Sequence, residues 1–232
     1  MGRPPLDLSL YLVTDTAICG QLGVAATVSA AVSAGVTVVQ LRDVDATDDE
    51  LVALGRDLVS VLRGTGVPLI VNDRVRLVEA IGADGAHVGQ SDIEIVQARA
   101  LLGPTAYLGL SVQTMEHVEV ARSEVARSHG AETLDYLGVG PVWETATKPD
   151  AEPPGGLGLL GRIISASPWP CVAIGGIDAE RLAVIRRTTG AAGVAVVSAI
   201  CGQPDVAAAT RALRNLWDGN LRNGNLRNGG SP

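Results

Sequence analysis

Apolar residues recur along this chain in eight short runs, at 8–13, 36–41, 68–71, 85–88, 107–110, 136–139, 171–174 and 193–197. Runs of this length without polar alternation suit strands buried on both faces, the condition of a parallel sheet. The stretches between them change period. Leu51, Leu54, Leu58, Val61 and Leu62 fall at helical spacing, as do Val118, Ala121, Val125 and Ala126. Strands alternating with helices imply right-handed parallel crossovers. Eight such units predict an α/β protein, a single (β/α)8 TIM barrel over residues 1–217, a fold for which about 250 residues is typical. An open doubly wound sheet is the alternative, and it would not need eight strands. The final stretch, 218–232, repeats Asn-Leu-Arg-Asn-Gly at 220–224 and 225–229 without apolar periodicity and is expected to be a disordered low-complexity tail.

Composition sharpens this picture in three ways. Hydrophobic residues make up 47% of the chain but aromatics only 3%, with no Phe, so the core must be aliphatic. A net charge of -7 argues against general nucleic-acid binding, which needs a basic surface, yet leaves room for a small phosphorylated substrate at a local cationic site. Cys19, Cys171 and Cys201 are odd in number and lack metal-ligand spacing, which suggests buried free thiols in a reducing cytoplasm. The first five residues, Met1-Gly2-Arg3-Pro4-Pro5, lead into no apolar targeting region, and no run approaches the roughly 18 apolar residues of a membrane span. No membrane partner is expected. Oligomeric state is left open, a homo-oligomer included.

Polar residues collect where the predicted strands end, and barrel enzymes build their sites from the loops at that rim. Gln40 and Arg42 close the second strand, Asn72 and Asp73 follow the third, and Gln90 and Asp92 follow the fourth. Ser111 ends the fifth, Thr145-Ala146-Thr147-Lys148 lie beyond the sixth, Gly175-Gly176 follow the seventh, and Val197-Ser198 end the eighth. One polar end would be a turn or a cap; seven on one rim point to a site. Asp73 and Asp92 are hard oxygen ligands on adjacent loops, suited to Mg2+, which takes one or two carboxylates plus substrate phosphate and water. Taken singly, each reads better as a helix N-cap, for helices starting near Arg74 and Ile93. Gly175-Gly176 and Ser198 match the phosphate position that barrels form after their seventh and eighth strands.

Lys148 is the only lysine among 18 basic residues. A compact ammonium flanked by hydroxyls suits phosphate oxygens. Two other features carry less. Gly156-Leu157-Gly158-Leu159-Leu160-Gly161 matches G-x-G-x-x-G, but Pro153-Pro154 stand where a dinucleotide fold needs a strand. His87 reads as a satisfied barrel-wall histidine rather than a general base, and His117 and His129 as surface residues on a helical segment.

In this order the blocks Val39-Gln40-Leu41-Arg42, Val71-Asn72-Asp73-Arg74, Asp84-Gly85-Ala86-His87-Val88-Gly89-Gln90-Ser91-Asp92, Gly109-Leu110-Ser111, Gly138-Val139-Gly140-Pro141, Thr145-Ala146-Thr147-Lys148, Ile174-Gly175-Gly176-Ile177 and Val197-Ser198-Ala199-Ile200 resemble the thiamine-phosphate synthase family from about residue 8 to 217. The resemblance implies a Mg2+-dependent transferase that joins a pyrimidine diphosphate, 4-amino-2-methyl-5-(diphosphooxymethyl)pyrimidine, to 4-methyl-5-(2-phosphoethyl)thiazole or its carboxylated form. It implies that Gln40, Leu41, Arg42, Asp43, Val44, Asn72, Ser111 and Lys148 hold the pyrimidine diphosphate, with Arg42, Ser111 and Lys148 at the reacting centre. Asp73 and Asp92 would hold Mg2+, and Thr145, Ala146, Thr147, Gly176, Val197 and Ser198 the thiazole phosphate. Two positions depart from the family pattern: Val44 replaces a customary lysine, and Gln113 a common histidine. A thiazole tautomerase, or a barrel that only binds thiazole phosphate, are the alternatives; retention of Asp73, Asp92, Arg42 and Lys148 argues against both. The loop 143–156, rich in Pro and Gly, is the candidate lid.

Overall fold

Each of the eight apolar runs forms a strand in the computed structural model, which describes residues 4–127, 133–147 and 152–219. The strands are β1 Leu10–Val13, β2 Val38–Leu41, β3 Leu69–Asn72, β4 Gly85–Val88, β5 Tyr107–Val112, β6 Tyr136–Val139, β7 Cys171–Ile174 and β8 Gly193–Val196. Every neighbouring pair is parallel, and β8 pairs with β1 through Leu10↔Val194, Tyr11↔Ala195 and Leu12↔Val196. That last pairing closes the barrel and removes the open-sheet alternative. Helices α1 Thr16–Cys19, α2 Val24–Ser33, α3 Asp48–Leu62, α4 Val78–Ile81, α5 Ile95–Leu102, α6 Met115–Arg127, α7 Gly156–Ala166, α8 Ala179–Thr188 and α9 Val206–Trp217 complete the described elements, with short 3-10 turns after α1 and after β3.

Side chains on successive strand residues point alternately to the two faces of the sheet, so each strand supplies two cores. Leu10, Leu12, Val39, Leu41, Val71, Val88, Leu108, Leu137 and Val194 join the layer between barrel and helices. Each such aliphatic side chain, fully buried, contributes about 1.5–3 kcal/mol. The alternate positions Tyr11, Val13, Val38, Ile70, Tyr136, Val172 and Ala195 fill the barrel interior. Two tyrosines thus stand in the lumen among aliphatics, their ring centroids 5.9 Å apart, with buried Gln40 and His87 bonded to their hydroxyls. Gly109 and Gly138 make room for them and for His87: a Cβ at 109 would run into the Tyr136 ring and His87 Nδ1, and one at 138 would sit 2.9 Å from His87 Cε1. All three cysteines are buried and free. No single described helix is long and apolar enough to cross a membrane.

Five strands depart from their apolar runs, β8 among them because it ends at Val196 and leaves Val197 outside. β1 and β2 each begin two residues later than the apolar run, and β5 continues to Val112, placing Ser111 inside a strand. Asn72 likewise belongs to β3. The glycine-rich 156–161 segment opens α7 and follows a loop rather than a strand. Of the expected tail, Asp218 caps α9 and its Oδ2 accepts from Arg214 Nε at 2.9 Å, while residues 220–232 lie outside the described residues.

Candidate active site

Strands β1 and β2 end in a shared polar corner. Thr14 donates its N–H to the Gln40 carbonyl at 2.9 Å, and Thr14 Oγ1 accepts the Arg42 N–H at 3.0 Å, which fixes the exit of β2. Arg42 is mostly buried, its Nη1 4.0 Å from Asp15 Oδ2. Asp43 accepts Thr16 Oγ1 at 2.6 Å and the N–H groups of Asp45 and Ala46 at 3.2 and 3.1 Å, turning the chain sharply beyond the strand. Leu41, by contrast, is buried in the helix-facing layer, so only its backbone can face the rim. Val44 is 60% exposed. The guanidinium of Arg74 reaches under this turn: its Nη2 lies 3.5 Å from the carbonyls of both Asp43 and Val44, and its Nη1 is 3.4 Å from Asp48 Oδ1.

Neither aspartate of the expected metal pair caps a helix. The 3-10 turn Val75–Leu77 has Arg74 at its cap position with no side-chain cap bond, and α5 starts only at Ile95 behind Glu94. The capping reading, better for each aspartate taken singly, fails for both. Asp73 instead adopts a left-handed backbone, φ 57°, and donates its N–H to the His87 carbonyl at 2.8 Å. Its Oδ2 accepts from Asn72 Nδ2 at 2.6 Å. Asp92 folds back so that Oδ2 accepts the Gly89 N–H at 2.6 Å. Both carboxylates are exposed and stand just past neighbouring strands, β3 and β4.

Ser111 and Gln40 are joined through the barrel interior. Gln40 Nε2 donates to Tyr11 OH at 2.9 Å, Tyr11 OH lies 2.8 Å from Tyr136 OH, and Tyr136 OH lies 3.1 Å from His87 Nδ1. His87 Nε2 is 2.9 Å from Ser111 Oγ, so both ring nitrogens are engaged, as a barrel-wall histidine requires. Burial pushes both tyrosine hydroxyls well above their ordinary pKa, so they stay protonated. The Ser111 carbonyl accepts Gln90 Nε2 at 2.6 Å. Gln113, at the second departure, donates its N–H to His117 Nδ1 at 3.2 Å, so His117 is tied to the β5 exit rather than free on the surface. His129 lies outside the described residues.

The loops after β6 and β7 are laced together. Val142 and Trp143 donate N–H groups to the Ile174 and Gly175 carbonyls at 2.9 and 3.1 Å. Gly175 and Gly176 have φ of 101° and 63°, and a Cβ on Gly176 would strike the Glu144 carbonyl, so glycine is needed on both counts. Thr145 Oγ1 and Thr147 Oγ1 are 2.9 Å apart. Ala146 is exposed between them, and Lys148 lies outside the described residues. The base of the 143–156 loop is pinned by the N–H groups of Gly155 and Gly156, which donate to the carbonyls of Pro141 and Val142 at 2.9 and 3.1 Å. After β8, Cys201 N–H donates to the Val197 carbonyl at 2.8 Å, making a single helical turn that starts at Val197 and Ser198.

The rim therefore collects Gln40, Arg42, Asp43, Asn72, Asp73, Asp92, Ser111, Thr145, Thr147, Gly176, Val197 and Ser198 at the C-terminal ends of β2 to β8. Sequence reasoning missed Thr14 and Asp15, which buttress Arg42, and the tyrosines Tyr11 and Tyr136, which connect Gln40 to His87. Their signal was faint: the three tyrosines of an aliphatic chain all fall at inward strand positions. A cleft of about 530 Å3 opens at the opposite end of the barrel, among Pro4, Asp7, Thr37, Arg63, Asp84 and Tyr107. Two of its polar groups are committed to the fold: Asp84 Oδ2 accepts the Leu69 N–H at 2.8 Å and Tyr107 OH donates to the Pro4 carbonyl at 2.9 Å.

Comparison with known proteins gives one answer by three routes. A family model described as thiamine monophosphate synthase matches residues 10–200. The thiamine-phosphate synthase of Azorhizobium caulinodans is 44% identical over 220 residues, covering 94% of this chain and 99% of that protein. That of a Psychrobacter species is 46% identical over 198 residues, covering 85% and 90%. Among solved structures, a thiamine phosphate pyrophosphorylase from Pyrococcus furiosus superposes with a TM-score of 0.79 at 31% identity, covering 93% of this chain and 98% of that one.

Proposed function

The chain belongs to the thiamine monophosphate synthase family, a family of transferases of thiamine biosynthesis, and from that premise we propose how its rim carries out the reaction. The pyrimidine diphosphate lies over the ends of β2 to β5, with Gln40, Arg42, Asp43, Asn72 and Ser111 around it, and the family resemblance assigns Lys148 to the leaving group. The thiazole phosphate, carboxylated or not, rests on the hydroxyls of Thr145 and Thr147, beside Ala146, Gly176, Val197 and Ser198. The observation that carries this reading is that Asp73 and Asp92, on neighbouring strand ends, are both excused from helix capping. Two exposed carboxylates of this kind are hard oxygen donors, the set a Mg2+ ion takes when phosphate and water complete its shell.

When bound there, Mg2+ would neutralise charge developing on the departing diphosphate. The remaining work belongs to the chain. Arg42, held near its angle by Asp15 and Thr14, offers a guanidinium to the same charge without reorganising. The threonine hydroxyls and the β7 and β8 turns hold the thiazole so that its ring nitrogen faces the carbon losing diphosphate. The C–O bond to diphosphate breaks and a C–N bond forms, with no covalent bond to the protein. Incubation with both substrates and Mg2+ should release diphosphate and thiamine phosphate in equal amounts, and excess chelator should abolish both. Full activity in chelator would remove the metal from this account.

A further inference from the structure

The lumen chain that links Gln40 to Ser111 has a direction. Gln40 Nε2 points its hydrogen at Tyr11 OH, 2.9 Å away. Tyr11 then has its own hydrogen to give, and Tyr136 OH is 2.8 Å away in a lumen otherwise lined by Leu8, Val13, Val38, Ile70, Val172 and Ala195. Tyr136 in turn gives its hydrogen to His87 Nδ1 at 3.1 Å. With Nδ1 accepting, a neutral imidazole must carry its proton on Nε2, and it donates to Ser111 Oγ at 2.9 Å. Were the order reversed with Gln40 as placed, Tyr11 would accept twice and its own hydrogen would be buried without an acceptor, which buried polar groups avoid. Deprotonated tyrosine offers no escape, because burial keeps both phenols protonated.

Fed from His87, Ser111 Oγ has its own hydrogen left to give at the half-buried mouth of the site. A diphosphate presents only acceptors. We propose that Gln40, Tyr11, Tyr136 and His87 form a polarised positioning network that holds Ser111 as a hydrogen-bond donor toward the diphosphate of the pyrimidine substrate. The inference rests on the synthase reading for its ligand, but the polarity itself does not. Glycines at 109 and 138 support it independently, since a side chain at 109 would intrude on the His87 and Tyr136 rings and one at 138 on His87.

The test reads the histidine directly. In 15N-histidine-labelled full-length protein at neutral pH, long-range 1H–15N correlation spectra distinguish the two neutral tautomers and the cation, and three histidines are readily assigned with His117→Gln and His129→Gln variants. The expected result is a neutral His87 protonated on Nε2. Tyr136→Phe, which keeps the ring and removes the hydroxyl, should shift His87 away from that single tautomer and lower kcat about 10-fold, leaving KM for the thiazole phosphate within about twofold. A ring protonated on Nδ1, or a cationic ring, in the wild-type chain overturns the proposal even if no variant folds. So does Tyr136→Phe that keeps both the tautomer and kcat. An Nε2-protonated ring in a chain that makes no thiamine phosphate supports the polarised network and overturns the choice of its ligand.

Discussion

Asp73 concentrates the tension between stability and chemistry in one residue. Among the described residues it is the one non-glycine with a positive φ, at 57°. An ordinary L-residue loses about 1–2 kcal/mol there, whereas Asp and Asn tolerate it because their short polar side chains bond locally. Asp73 does so through Asn72 Nδ2. Strain of this kind persists where the surroundings over-determine it, and it clusters at functional sites. Asn in its place should keep the backbone and remove only the charge. Asp73→Asn is therefore expected to stay within about 0.5 kcal/mol of wild-type stability in urea melts while turnover falls at least about 10-fold, or about 1.4 kcal/mol. Asp73→Ala should lose the same turnover and about 1 kcal/mol of stability besides. Wild-type turnover in Asp73→Asn would dismiss the carboxylate from the reaction. The sequence alone could not separate ligand from cap here, because both readings put an aspartate just past a strand. Only the backbone, which starts the turn after β3 one residue late and α5 two residues late, distinguishes them.

At the scale of elements, the β2 exit shows how one strand's departure from its family can be met by another. Position 44 lacks the customary lysine, and the turn set by Asp43 carries it past the end of β2, so strand alternation says nothing of where its side chain points. Arg74, from the loop after β3, brings a guanidinium to the carbonyls of Asp43 and Val44, anchored by Asp48 in the first turn of α3. A cation at this corner is thus supplied from a different strand. Arg74→Ala should raise KM for the pyrimidine diphosphate about fivefold, close to 1 kcal/mol at a solvent-screened mouth. Val44→Lys should change it less than twofold in the wild-type background but recover most of the loss in Arg74→Ala. No recovery in steady-state kinetics would mean that position 44 faces away from the diphosphate. The strands themselves were legible: β4, β6 and β7 match their apolar runs end for end, because parallel strands buried on both faces leave an unbroken apolar signature. Caps and 3-10 turns were not, since they depend on which local hydrogen bond wins.

The whole molecule adds what neither residue nor element contains. Closure of β8 on β1 brings Tyr11 within hydrogen-bond reach of Tyr136, 125 residues away, and no local pattern announces such a contact. The same closure gathers carboxylates from β3 and β4, hydroxyls from β5 and β6, and turns from β7 and β8 onto one rim. If that rim is a single site, ligands bound there should stabilise the entire barrel, because binding to the folded state alone adds RT ln(1 + [L]/Kd) to its stability. At 100 times Kd this is about 2.7 kcal/mol, and a domain of this size gains about 2–4 °C in Tm per kcal/mol. Inorganic diphosphate with Mg2+ should accordingly raise Tm by about 5–10 °C in a thermal melt at saturation. Diphosphate with chelator, or Mg2+ with diphosphate added to Asp73→Asn, should give less than half that shift. Because the readout needs no turnover, it separates the metal site from the chemistry: equal shifts with and without Mg2+ would show that Arg42 and its neighbours hold the diphosphate unaided, and the two aspartates would then need another account.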